Sequence, residues 1–495
     1  MPSSTDLVTV SSVATSRSWL ERLWSNIADR GQPYAQVPEA SAPLPERAKG
    51  LAEALLSERG EASGAAVARE LHVVLRSLDL ADRTAFYRFL AETFGPEESA
   101  LRAAAEAYLA DPKPEQAVRL AAAAEPPRQE LLRRMNMAPG GTASLVRMRQ
   151  EVLGLVRAEP SLRVLDSDLR HLFASWFNRG FLELRRIDWQ TPATVLEKLI
   201  AYEAVHEIQG WDDLRRRLDA DRRCFGFFHP ALPSEPLIFV EVALVQGLAA
   251  SVQPLLARDN PPSEPARADT AIFYSISNCQ EGLRGISFGN FLIKQVVEEL
   301  RAELPQITTF STLSPVPGFR RWLERRLDSA RPDAAAPGKP VFREEEAQLL
   351  TGHADATEAG AIDAFRALTA DGEWWQDPAR VDVLRAPLLR LCAEYLTRPN
   401  KGMSAIDPVA RFHLGNGARL ERINWLGNTS VRGMNEAFGL MVNYLYDPEA
   451  IEANHEAFVH SGKVARSAEV DGLLLLPAQL EPPAPKRRLP RIRVG

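Results

Sequence analysis

A loop that carries three glycines is the part of this sequence best suited to bind a phosphate. It follows the strand-like run 270–277 and precedes a helical segment that starts near Asn290. Gly282, Gly285 and Gly289 let the backbone approach a ligand closely, and the next helix offers unpaired N–H groups and the positive end of its dipole. The pattern predicts a phosphate or pyrophosphate site, and a plain strand-to-helix turn is the alternative.

Two common nucleotide motifs are absent from this loop. No Gly-Lys-Ser/Thr closes it, as a Walker loop requires, and Gly282 and Gly285 lack the G-x-G pair of a dinucleotide site. Residues 284–289 instead resemble the R/Q-x-x-G-x-G/A coenzyme A loop of GNAT-type acyltransferases, with Ser287 in place of the first glycine. That resemblance implies a coenzyme A ligand.

A second cluster, at 310–319, is rich in hydroxyl groups and ends the next strand-like run. It contains Ser311 and Ser314. Hydroxyls at the carboxyl end of a strand beside a phosphate loop can touch the reactive end of a bound ligand. The alternative is a hydroxyl-rich turn before a helix that begins near Gly318.

His413 ends a helical segment just before an Asn-Gly turn. An imidazole there can face a cleft and exchange protons near neutral pH, although any one of the eight histidines can equally have a surface or packing role. No HExxH pattern is present, and His455 and His460 have no third ligand in view. The sequence implies no metal.

Two kinds of element must position these residues. From about Pro45 to Leu184 the pattern is helical, with one apolar stripe on a 3.6-residue period. Short runs rich in β-branched or aromatic residues then alternate with helical segments, which predicts an α/β or α+β domain after a helical bundle. The runs are 237–245, 270–277, 307–313, 418–426 and 440–446.

The domain boundary is predicted near residue 185, because Thr191-Pro192 is a helix-start signal after which the texture changes. The predicted segments are a flexible N-terminal stretch (1–44), a helical domain (45–185), a catalytic domain (186–475) and a basic, proline-rich tail (476–495).

Composition excludes several classes of protein. With 59 Lys+Arg against 65 Asp+Glu, the net charge of −6 disfavours a nucleic-acid binder. No run approaches the ~18 apolar residues of a membrane span. Three cysteines are too few for a disulfide framework, and the first thirty residues lack the apolar core of a signal peptide. We therefore predict a cytoplasmic protein. The alternative is that these thirty residues are an organelle transit peptide.

The clusters together resemble malonyl-CoA decarboxylases, in an order and spacing that agree over roughly residues 45–465. The matching segments are Phe-Tyr-Ser-Ile-Ser at 273–277, Gly-Leu-x-Gly at 282–285, Phe-Ser-x-Leu-Ser-Pro-x-Pro-Gly-Phe at 310–319, His-Leu-x-Asn-Gly-Ala at 413–418, Arg-Ile-Asn-Trp at 422–425 and Met-x-Asn-Tyr-x-Tyr at 441–446. The resemblance implies a helical domain used in oligomer assembly, a homotetramer built as a dimer of dimers, and a GNAT-like catalytic domain. It also implies conversion of malonyl-CoA to acetyl-CoA and carbon dioxide without metal or biotin.

The resemblance also implies roles for individual residues. Ser311 and His413 match the catalytic serine and histidine of the family, Tyr446 matches a tyrosine that lines the acyl pocket, and Glu203 matches a required glutamate that can be catalytic or structural. The residues matching the coenzyme A loop are Glu281, Gly282, Leu283, Arg284, Gly285, Ile286 and Ser287, and we add Gly289 and Asn290 from the phosphate-site pattern.

Decarboxylation of a malonyl thioester needs a stabilised enolate and then a proton on carbon. One preorganised hydrogen-bond donor at the thioester oxygen is typically worth ~10²–10³ in rate. A positioned proton donor is worth ~10²–10⁴. We assign His413 as the proton donor and Ser311 as the hydroxyl that orients the carboxylate or relays the proton, with Tyr446 and loop N–H groups as further donors.

Two other functions use the same loop. A GNAT acyltransferase would need a groove for an amine acceptor, and a non-catalytic acyl-CoA sensor would use the helical domain as its output. The chain has no Met-Lys-Met biotin site, which argues against the reverse, carboxylating direction.

Overall fold

The computed structural model describes residues 19–35, 38–39, 41–57, 61–286, 292–331, 339–353, 360–398 and 407–475. Ser287, Gly289, Asn290 and the predicted tail lie outside the described residues, as do the first 18 residues of the chain. An N-terminal helical region is followed by a domain that combines helices with a mixed sheet, as predicted.

The N-terminal region is helical throughout its described residues, apart from short connections. Its helices are α1 (Trp19–Gly31), α2 (Leu44–Leu56), α3 (Glu61–Ser77), α4 (Leu80–Thr93), α5 (Glu98–Ala110), α6 (Pro114–Ala124), α7 (Pro127–Asn136), α8 (Gly141–Leu155) and α9 (Arg163–Trp176). Pro114 and Pro127 each occupy the first position of a helix, where a missing N–H costs no hydrogen bond. The apolar stripe predicted on α3 is buried, and α1, inside the segment predicted to be flexible, packs against α3.

All the strands among the described residues belong to one mixed sheet. They are β1 (Glu183–Ile187), β2 (Arg222–Phe228), β3 (Ile238–Val245), β4 (Thr270–Asn278), β5 (Thr309–Thr312), β6 (Ser314–Pro315), β7 (Arg419–Asn424) and β8 (Met441–Leu445). The order is β1-β2-β3-β4-β5-β8-β6, with β7 also paired to β8. Every pair is antiparallel except β4 and β5, which run parallel.

Helices cover this sheet and supply the residues of the site. They are α10 (Ala193–Tyr202), α11 (Trp211–Arg217), α12 (Gln253–Leu256), α13 (Leu292–Glu303), α14 (Phe319–Ser329), α15 (Glu344–His353), α16 (Ala361–Thr369), α17 (Pro378–Thr397), α18 (Pro408–Gly415), α19 (Val431–Ala437), α20 (Ile451–Ser461) and α21 (Ala468–Leu474).

The five predicted strand-like runs are confirmed as β3, β4, β5, β7 and β8. The pattern missed β1, β2 and the two-residue β6. Arg222 and Arg223 of β2 are buried because Arg222 donates to the Leu255 carbonyl and Arg223 pairs with Glu303, which a composition rule for strands does not anticipate. The boundary at 185 stays a prediction; β1 begins at Glu183.

The pairing of β4 with β5 shapes the site. It runs from Thr270↔Thr309 to Phe273↔Thr312 and then stops, while β4 stays paired to β3 as far as Asn278. Among the described residues no strand pairs with 274–278 on the side where β5 turns away, and we call this side the open edge of β4.

Candidate active site

A cavity of about 650 Å³ lies against the open edge of β4. It is bordered by the loop before α13 and by residues of α18 and α20. The residues of this lining that carry the argument are Tyr274, Ser275, Gly285, Ile286, Arg411, His413 and His455. The strand that was predicted to lead into a ligand loop thus lines the cavity, and so does His413.

The side chain of His413 is buried in the wall of this cavity, with both ring nitrogens hydrogen bonded. Nδ1 lies 2.8 Å from the Tyr446 hydroxyl, and Nε2 lies 3.0 Å from Ser314 Oγ. The ring stacks on Tyr444 with 4.7 Å between centroids. Three contacts fix the position and the rotation of the imidazole.

Asp407 positions the helix that carries His413. Its carboxylate caps α18 by accepting from the N–H groups of Val409 and Ala410, and it also accepts from Gly318 N–H at 3.0 Å. The last bond ties α18 to the start of α14, which follows the hydroxyl-rich segment. The loop carrying Ser314 and the helix carrying His413 are therefore held together by one buried carboxylate.

Burial sets the protonation states of this cluster. It lowers the pKa of His413 to about 3 and raises the pKa of Tyr446 well above its usual value, so both groups are neutral at pH 7. Ser314 Oγ donates to Thr312 Oγ1 at 2.9 Å, which leaves the serine oxygen to accept from His413 Nε2–H. Nδ1 then accepts from Tyr446, and the protons point one way along the line Tyr446, His413, Ser314, Thr312.

Ser311 lies close by in the sequence and has different partners. It is fully buried, and its hydroxyl donates to the carbonyl oxygens of Tyr444 at 3.2 Å and Thr312 at 3.4 Å, with no hydrogen bond to His413. Successive residues of a strand point to opposite faces, so Ser311 lies on one face and Thr312 and Ser314 on the other. This alternation was the available signal for Ser314, and the catalytic role of Ser311 stays a prediction.

The residues predicted to bind coenzyme A form a turn whose described part is 281–286. Glu281–Leu283 is one 3-10 turn, in which Arg284 N–H returns to the Glu281 carbonyl. Gly285 has φ +79°, a left-handed conformation that glycine adopts at little cost, and it lines the cavity together with the buried Ile286. The exposed Arg284 and Glu281 side chains pair at 3.4 Å.

Glu203 lies elsewhere, at the C-terminal end of α10. It accepts from the hydroxyls of Ser275 at 2.8 Å and Ser277 at 3.1 Å, and from the N–H groups of Val205 and His206, both at 2.8 Å. The structure gives this carboxylate no hydrogen bond to the His413 cluster. It ties α10 to the part of β4 that forms the cavity wall.

Two further properties of the described residues bear on function. The described residues contain no group of three or more His, Cys, Asp or Glu side chains that could hold a metal ion. No described helix is both long enough and apolar enough to span a bilayer.

Comparison with known proteins gives consistent matches over most of the chain. The family model described as the malonyl-CoA decarboxylase C-terminal domain matches residues 180–483, and that of the N-terminal domain matches residues 94–177. The mitochondrial malonyl-CoA decarboxylase of Anser anser anser is 39% identical over 352 residues, which cover 70% of this chain and 69% of the relative.

Solved structures give the same result. The chain is 50% identical to the crystal structure of malonyl-CoA decarboxylase from Rhodopseudomonas palustris, with a TM-score of 0.77 over 86% of this chain and 99% of the other. For the enzyme from Agrobacterium vitis the identity is 49% and the TM-score 0.77, over 87% and 100% of the two chains.

Proposed function

The chain belongs to the malonyl-CoA decarboxylase family and is a carboxy-lyase of that type, and we propose how its residues perform the reaction. The observation that supports the mechanism best is the hydrogen-bonded line from Tyr446 through His413 to Ser314, whose central residue His413 lines the same cavity as β4. The line can supply a proton at one end of a cavity that has room for the acyl and pantetheine parts of the substrate.

In this proposal the coenzyme A part lies along β4 and the loop. The open backbone edge of residues 274–278 pairs with the amides of the pantetheine arm, much as an added strand would. The pyrophosphate lies near Gly285, where the backbone allows close approach, and near the cationic side chain of Arg411 at the cavity wall. The malonyl group then extends toward His413.

The proposed reaction breaks the bond between the α-carbon and the carboxylate. Carbon dioxide leaves, and the electron pair moves onto the thioester oxygen as an enolate, which Tyr446 or a backbone N–H stabilises by donating a hydrogen bond. The α-carbon then takes a proton from His413, relayed by Ser314 after its hydroxyl turns from Thr312 toward the substrate. The imidazole is reprotonated from solvent, so the net reaction consumes one proton, as the loss of an ionised carboxylate requires.

A histidine with a pKa near 3 has no proton to give to the substrate at pH 7. We propose that the bound substrate raises this pKa. Its carboxylate brings a negative charge into the cavity that His413 lines, and a nearby opposite charge favours the imidazolium. We therefore propose that His413 becomes protonated only when malonyl-CoA is bound. The imidazole is then neutral in the empty site and becomes positively charged when the substrate binds.

The geometry favours Ser314 over Ser311 as the hydroxyl partner of His413, whereas the resemblance favours Ser311. Ser314 has the direct hydrogen bond to Nε2, and the Ser311 hydroxyl is occupied by backbone carbonyls. We take Ser314 as the relay and Ser311 as a residue that holds β5 against β8. For Glu203 we propose a structural role in fixing β4.

The helical domain is proposed to mediate self-association into a homotetramer. Helices α5 and α6 have no buried residue, and Leu109 and Val118 are 79% and 69% exposed. Exposed apolar side chains on two adjacent helices are typical of an assembly surface. The cytoplasmic location stays a prediction.

Incubation with malonyl-CoA alone tests the function. The decarboxylase forms acetyl-CoA and carbon dioxide without an acceptor, whereas an acyltransferase waits for an amine and a sensor leaves the substrate unchanged. Recovery of intact malonyl-CoA would contradict the proposed mechanism.

A further inference from the structure

Arg149, a residue of α8 in the helical domain, reaches into the catalytic domain. Its guanidinium is buried and donates from Nη1 to the carbonyl oxygens of Gly282 at 2.7 Å and Arg284 at 3.0 Å. Asp166 of α9 accepts from Nε at 2.8 Å, so the guanidinium is held from behind by a second helix. We propose that Arg149 is a positioning residue that sets the shape of the coenzyme A loop, an inference that rests on the proposed role of that loop.

The geometry of the peptide bond explains how the arginine acts on the ligand side. In a trans peptide the C=O and the following N–H point in opposite directions. Holding the Arg284 carbonyl toward α8 therefore turns the Gly285 N–H away from α8, and Gly285 lines the cavity. Among the described residues none accepts a hydrogen bond from this N–H, and the proposal takes it as a donor to a phosphate oxygen.

The same helix contacts the loop at a second point. A Cβ added to Gly282 would lie 2.0 Å from the carbonyl oxygen of Val146, one turn before Arg149 on α8. The loop and the helix therefore pack backbone to backbone, and only glycine fits at that position. Contact at two positions means that a shift of α8 moves the loop with it.

Arg149 therefore couples the helical domain to the affinity for coenzyme A rather than to the chemical step. Arg149→Met, which keeps length but removes all the donors, is expected to raise KM for malonyl-CoA about 5- to 150-fold, the usual range for coupling between sites. Because the His413 cluster makes no contact with Arg149, kcat is expected to stay within about twofold, well below the tenfold loss that 1.36 kcal/mol of barrier would cause.

The chain offers a closely matched control in Arg128. It is equally buried, pairs with Asp168 of α9 and donates to the carbonyls of Leu90 and Ala91, but it contacts no part of the loop. Arg128→Met should cost similar thermal stability and leave KM unchanged. If Arg149→Met does not yield folded protein, Asp166→Asn gives a milder form of the same change, with a smaller rise in KM expected.

The assay measures steady-state kinetics with malonyl-CoA and the dissociation constant of coenzyme A by calorimetry. Amide hydrogen exchange at 281–286 adds a structural measurement and should quicken in Arg149→Met only. An unchanged KM in Arg149→Met, or an equal rise in Arg128→Met, overturns the proposal. Gly285→Val distinguishes failure of the Arg149 proposal from failure of the loop assignment. If Gly285→Val keeps normal coenzyme A affinity, the loop assignment is wrong and the Arg149 proposal fails with it. If Gly285→Val binds coenzyme A weakly while Arg149→Met binds it normally, only the positioning role of Arg149 is wrong.

Discussion

Replacing Ser314 with alanine is the most direct test of the proposed proton relay. The change removes the 3.0 Å contact to His413 Nε2 and the 2.9 Å bond to Thr312, and it leaves an imidazole N–H buried without a partner. Loss of a positioned proton donor typically lowers rate by ~10²–10⁴, which corresponds to about 2.7–5.4 kcal/mol of barrier. The orphaned N–H should also lower the free energy of unfolding by about 1–3 kcal/mol.

Ser311→Ala is the matched control, because it also removes one serine hydroxyl from the same buried segment, three residues before Ser314. Its hydroxyl donates only to backbone carbonyls, so we expect a comparable loss of stability with kcat within a few-fold of wild type. His413→Asn should reduce kcat by ~10²–10⁴, and His413→Asn combined with Ser314→Ala should be little worse than either change alone, since the two residues act as one unit.

The assay is the initial rate of acetyl-CoA formation over a range of malonyl-CoA concentrations, with thermal unfolding measured on the same preparations. A large fall in kcat for Ser311→Ala together with near-normal turnover for Ser314→Ala would refute the reasoning. The relay would then belong to Ser311, and substrate binding would have to rearrange β5.

Three other predictions concern regions outside the relay. Burial lowers the pKa of His72 from 6.5 to about 4, so the unfolded chain binds a proton first and the free energy of unfolding falls as the pH drops from 6.5 toward 4. In denaturant titrations His72→Gln should therefore lose about 2 kcal/mol less stability than wild type between pH 7 and pH 5. An equal loss in both proteins would contradict this. Glu203→Gln should lower the melting temperature, because one amide cannot accept the four hydrogen bonds that the carboxylate accepts, and it should leave kcat within a few-fold of wild type. A ~10²-fold fall in kcat in a folded variant would instead indicate that Glu203 is catalytic. Light scattering should give the mass of four chains, reduced by Leu109→Glu with Val118→Glu, and a monomeric wild type at micromolar concentration would rule out the assembly.

The sequence alone determined the division into a helical region and a sheet domain, because a 3.6-residue apolar period indicates helices with one buried face and short runs rich in β-branched or aromatic residues indicate strands. Short motifs also made His413 and the glycine loop candidates, and the family resemblance added Tyr446; the roles of all three stay predictions. The sequence patterns missed β2, where buried arginines find partners far away in the chain, at Leu255 and Glu303.

The tertiary structure decided which of these residues contact one another. His413 is 99 residues from Ser314 and 33 from Tyr446, and Arg149 is 133 residues from the Gly282 carbonyl that it holds. Which serine faces the imidazole depends on the rotation and register of β5 and β6 against β8, and one residue of register turns every side chain to the opposite face. Local patterns record whether a side chain is buried, whereas its partner is determined by strand pairing and helix packing, because these bring together segments that are distant in the sequence.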